Sequence, residues 1–247
     1  MGEVQGAKEG LGDLSEPVVL VALGMLGAHQ PGINVLWNSR DEKQWREALD
    51  HYWINPTVQR VLTIEKFMED LDIEKVKAFD VREWLEFLEK YFEWKFTGNY
   101  LPQKLGYLRH TGLEKLFAVK TALFALDELD MQNIRKCLNT VRSPHVKGLQ
   151  YAGASGLLAV LFPQHFGTTD RFVVEALCKI DSLPEKAWIE AMNPKSLTES
   201  DAVLLIEIMR RQSRQLNGWF GTDFWTPRKI DKILWDMRGG SRCVDRA

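Results

Sequence analysis

Few residues in this chain combine a reactive side chain with a telling position. Asp170 stands in Thr168-Thr169-Asp170-Arg171, directly before the apolar run Phe172, Val173, Val174, Ala176 and Leu177. A short acidic side chain there accepts hydrogen bonds from the first free amides of a helix, so an N-cap accounts for it. Lys95 lies between Trp94 and Phe96; it can line a cleft or simply lay its aliphatic stem over aromatic surface. Tyr151 follows a glycine-containing turn, Val146-Lys147-Gly148-Leu149-Gln150, and can stack on a base or pack at a helix start. His145 and His165 are too isolated to form a catalytic pair. Cys137, Cys178 and Cys243 show no Cys-x-x-Cys or Cys/His spacing, so the sequence offers neither a disulfide framework nor a metal site. No cofactor motif is present.

Helices must position these groups. Asn55-Pro56 reads as an N-cap with proline at the first helical position, opening a helix to about Leu71. Asp80 caps the next, in which Trp84, Leu85, Leu88, Tyr91 and Phe92 recur at helical spacing. A further run follows Gly112, and Asp130 opens a helix through Leu138 that Pro144 stops. The turn at Gly148 needs positive φ, which glycine supplies, and a second helix continues to Phe162. In it Ala152, Gly156 and Ala159 form a small-residue stripe that allows close approach of another helix. Thr198-Glu-Ser-Asp201 resembles a capping box, with its helix running to about Leu216; Thr226-Pro227 starts a last helix that Gly239-Gly240 ends. There are no hairpin-spaced alternating strands and no internal repeat. The expected fold is all-α, a two-lobed helical array with a central helix-hairpin-helix. Residues 1–16 read as a disordered leader and 17–247 as one helical domain, with Val18 to Leu23 open to a strand reading.

Composition narrows the function classes. The 247 residues carry a formal charge of −2, so any nucleic-acid surface has to be local. The basic residues from Arg210 onward, among them Arg228, Lys229 and Lys232, read at least as well as solvated helix ends. Nine tryptophans spread from Trp37 to Trp235 suggest core anchors rather than one ligand cage. The apolar run Val18 to Leu26 is too short to span a bilayer and follows an acidic leader. No membrane association and a cytoplasmic location are the expectations.

The segment from about Asp130 to Ile180 resembles the helix-hairpin-helix core of the GPD superfamily of base-excision DNA glycosylases, with a feel closest to bacterial relatives of the 8-oxoguanine enzymes. The carrying residues are Gly148 to Ser155, Phe162-Pro163, Phe166, Asp170-Arg171 and Ala176-Leu177; Phe92 to Thr97 and Asp231 to Trp235 add outlying matches. The resemblance implies duplex DNA as partner. It implies phosphate contact at Gly148 and Leu149, with Lys147, Gln150 and Tyr151 around them, and Asp170 as the catalytic carboxylate that stabilises positive charge on the sugar or activates water. Two positions depart from the pattern. Gln150 replaces the second hairpin glycine, so a side chain there either strains a left-handed backbone or forces a different turn. Ala152 stands where bifunctional members carry the lysine that forms a Schiff base. The implied function is a nucleic-acid-binding protein of glycosylase fold, a monofunctional N-glycosylase without lyase activity. The alternative is a non-catalytic helical interaction module on the same scaffold.

Overall fold

The computed structural model describes residues 31–126 and 131–238. The leader, the Val18 to Leu26 run, Asp130, Cys243 and the Gly239-Gly240 stop lie outside them. Among the described residues the chain is all-helical: fourteen helices and no strand. No helix there is long and apolar enough to cross a membrane.

In chain order they are α1 (Ile33–Trp37), α2 (Glu42–Ile54), α3 (Pro56–Gln59), α4 (Leu62–Glu69), α5 (Ile73–Ala78), α6 (Val81–Lys95) and α7 (Tyr100–Arg109). Then follow α8 (Leu113–Phe124), α9 (Met131–Val141), α10 (Tyr151–Leu161), α11 (Arg171–Leu177), α12 (Lys186–Ala191), α13 (Glu199–Phe220) and α14 (Pro227–Asp236).

Local chemistry sets most boundaries. Asp80 and Glu83 close a capping box on α6, and Thr198 and Asp201 close another on α13. Helix α13 runs one turn past Leu216 and ends at Gly221, whose φ of 63° provides the left-handed C-cap. Asn55 caps Thr57 N–H as expected, but the helix it opens does not reach Leu71 unbroken. Val61 leaves the helical region at φ −123°, ψ 20°, and α4 restarts behind it. The break turns Glu65 inward, where Tyr52 and Arg228 bond it; tertiary pairing outranks local propensity here.

The core is aromatic. Trp45, Trp84, Tyr91, Phe92 and Trp225 are among the largest fully buried side chains, each worth roughly 2–3 kcal/mol of burial. Helix α6 is the central rod, packing on α4, α7, α8 and α10. Helix α14 closes the other side against α2, α11 and α13. The tryptophans behave mainly as anchors, but Trp188 is 68% exposed. Cys137 and Cys178 are buried, and burial pushes the Cys137 thiol up to about 12.

Candidate functional site

Helices α9 and α10 form the expected helical hairpin, joined through a turn in which Gly148 takes φ 95°. Gln150 adopts neither strain nor left-handed geometry. It sits extended at φ −100°, ψ −173° as the N-cap of α10, so the turn differs from a two-glycine hairpin. The turn is tied to its neighbours. Leu149 N–H donates to Val146 O (3.2 Å), Lys104 Nζ donates to Gly148 O (3.1 Å), and Lys147 N–H donates to Thr111 Oγ1 (3.1 Å). Leu149 is fully buried, whereas Lys147 and Gln150 are exposed. The turn thus exposes Lys147 and Gln150, while the Leu149 amide is already engaged. The Lys147 ammonium points to His110 O at 3.4 Å. Tyr151 packs at the helix start, under the Arg142 guanidinium (4.9 Å to the ring centre); burial raises its phenol above the ordinary value.

Asp170 caps α11, Oδ1 accepting from Phe172 N–H (3.0 Å) and Val173 N–H (3.4 Å). Its other oxygen faces Lys95 Nζ at 3.5 Å. Both groups border a cleft of about 280 Å³, just below the usual range for small-ligand sites, about 300–1,000 Å³. Trp94, Phe172, Trp235 and Tyr52 supply its aromatic walls, and Thr97 stands at its edge. Helix α6 brings Lys95 there because α10 approaches it over glycines. Tyr91 OH donates to Gly153 O at 2.6 Å, and a Cβ at Gly156 would lie 3.5 Å from Lys95 Nζ. The small-residue stripe works through Gly156 in this contact.

The far wall is a buried ionic network that the sequence did not reveal. Arg228 donates to Asp231 Oδ2 (2.7 Å), to Glu65 Oε1 (3.2 Å) and to Thr168 Oγ1 (3.4 Å). Glu65 also accepts from Tyr52 OH (2.7 Å) and from Trp94 Nε1. Lys232 Nζ donates to Glu69 Oε2 at 2.5 Å while lying 4.2 Å over the Trp53 ring. Burial opposes the Arg228 charge, yet Asp231 and Glu65 more than offset it and raise its pKa. Burial raises the Asp231 carboxyl despite Arg228. Lys232 is depressed to about 8, by burial first and by Arg228 second. Arg228 and Lys232 are thus interior groups, 6% and 1% exposed, and their reading as solvated basic surface is corrected. The missed signal was helical spacing: Arg228, Asp231, Lys232 and Trp235 sit three and four apart, on one side of α14.

No family model matches this chain, no curated protein matches it, and no solved structure matches it. The likeness to glycosylases therefore rests on the residues quoted for it. Among the described residues no group of histidine, cysteine and acidic side chains could hold a metal. Opposite the ionic wall, the cleft presents the Asp170 carboxylate facing the Lys95 ammonium, framed by aromatic rings. That set can grip a flat, polar ring and place negative charge beside it.

Proposed function

We propose that the protein binds duplex DNA and releases a modified base as a monofunctional N-glycosylase. The observation that carries this reading is Asp170: a cap at the start of α11 whose second oxygen, paired to Lys95, borders an aromatic-walled cleft. A base rotated out of the stack finds π faces there from Trp94, Phe172 and Trp235. The carboxylate then stands where positive charge grows on the sugar as the glycosidic bond breaks, or where it can take a proton from attacking water. Lys147, Gln150 and the start of α10 would meet the phosphate backbone beside it. The deciding experiment is a screen of duplexes carrying different modified bases. Base release that vanishes in Asp170→Asn supports the reading, and no release from any of them rejects it.

A second reading has its own support. The Leu149 amide and the Gly148 carbonyl are both engaged within the protein, which suits a hairpin retained as packing in a non-catalytic interaction module. Failure to bind duplex DNA even at low salt would favour it, because phosphate contacts are strongest there.

A further inference from the structure

Acidic residues are distributed unevenly along this chain. Asp and Glu number 34 in 247 residues, yet none occurs in 94–112 and none in 131–169. These two segments meet in the fold: Lys104 Nζ bonds Gly148 O, Lys147 N–H bonds Thr111 Oγ1, and Lys147 Nζ reaches His110 O. They join α7 to the hairpin, on a face that carries Lys104, Arg109 and Lys147, while Lys95 stands in the cleft paired to Asp170. Glu89 of α6 reaches this face, paired to Arg109 at 2.7 Å. Thr97, two residues after Lys95, borders the cleft, and the exposed Gly98 and Asn99 lead from it to Tyr100.

On that face Tyr100 is 69% exposed and Tyr107 is 44% exposed. Seven residues apart, they share one side of α7 about 10 Å apart along its axis. Gln103 Nε2 bonds Tyr107 OH at 3.1 Å and steadies that ring. Exposed tyrosines at helical spacing beside cations, with acids absent from both segments, fit a polyanion that offers flat rings. Stacked bases of a duplex hide their faces; unpaired nucleotides offer them.

We propose that α7 is a stacking track for unpaired nucleotides, leading along the hairpin to the Asp170 cleft, with Tyr100 and Tyr107 each taking a base. The inference rests on the nucleic-acid reading of the same site but not on its chemistry.

The test is fluorescence anisotropy of a labelled, unmodified oligothymidine strand with the full chain. The wild type should bind at low salt and weaken as salt rises. Tyr100→Ala and Tyr107→Ala should each weaken binding about tenfold, Tyr100→Phe should bind as wild type, and Trp188→Ala, equally exposed but between Glu185 and Glu190, should change nothing. Binding indifferent to both tyrosines, or no wild-type binding, would overturn the track. Strand binding through the tyrosines without base release from any duplex upholds the track and rejects the glycosylase. Base release without any dependence of strand binding on the tyrosines does the reverse.

Discussion

The phenol of Tyr91 occupies the space a side chain at Gly156 would need: a Cβ there would come within 2.7 Å of its oxygen. Because that oxygen also bonds Gly153 O, it cannot retreat freely. Gly156→Ala should therefore destabilise the protein by about 1–2 kcal/mol, overpacking outweighing the helix propensity gained. In a Tyr91→Phe background the clash is relieved and the same change should be neutral or stabilising. Urea denaturation of the four proteins of this cycle checks it; equal effects in both backgrounds would show that the contact is not what requires glycine.

Asp170→Asn keeps an oxygen for the Phe172 and Val173 amides and removes the charge that faces Lys95. Thermal stability should fall by less than about 1 kcal/mol. Base release in any positive assay should disappear. A mutant that retains full activity would leave Asp170 a cap and nothing more.

Strand cleavage depends on an amine. Ala152 supplies none, and Lys147 points to His110 O. Lys95 does stand in the cleft, but its Nζ is held by the Asp170 carboxylate at 3.5 Å. Borohydride should trap no protein–DNA adduct, and abasic strands should stay intact until treated with alkali. Trapping lost in Lys95→Ala would make that residue a nucleophile and the protein bifunctional.

Arg228 neutralises two buried carboxylates at once. Arg228→Ala leaves Glu65 and Asp231 facing each other's field in the interior and should cost about 3–5 kcal/mol. Chemical denaturation measures it. A loss under 1 kcal/mol would mean that water enters the cleft freely enough to solvate both acids.

Lys232 gives stability a pH dependence of unusual sign. Its folded pKa of about 8 lies below the ordinary 10.5, so between these values the unfolded chain binds the extra proton. Stability should therefore rise from pH 8 toward pH 10, by on the order of 2–3 kcal/mol, as the buried ammonium is relieved of its charge. Below pH 8 both states are protonated and this penalty is constant. Groups raised by burial work the other way, Cys137 from about pH 9 and Tyr52 and Tyr91 above pH 10. The Lys232 contribution is the wild-type profile minus that of Lys232→Met, and two profiles of the same slope between pH 8 and pH 10 would contradict the assignment.

Helices with strong caps were legible in the sequence. Asp80, Thr198 and Thr226 each accept the amides their positions suggest. Helix α7 was not singled out in the sequence; it carries Pro102 and Gly106 within its span and packs on α6. Asp170 could be found from its local pattern, but its neighbour Lys95 lies 75 positions away. The ionic wall was hidden for a similar reason. Glu65 and Arg228 look like ordinary surface charges in sequence, and only tertiary burial gives them partners.

The bond between Glu65 and Arg228 joins positions 163 residues apart, and this has a bearing on when the cleft comes into being. Its first wall, α2 to α4, leaves the ribosome long before α14, which carries the guanidinium that neutralises it. Until then Glu65 has no cation to follow it inward, so it stays hydrated and the wall stays loose. Closure of the cleft is thus a late event of high contact order, and folding should slow when α14 is weakened even though the helical hairpin forms from neighbouring segments.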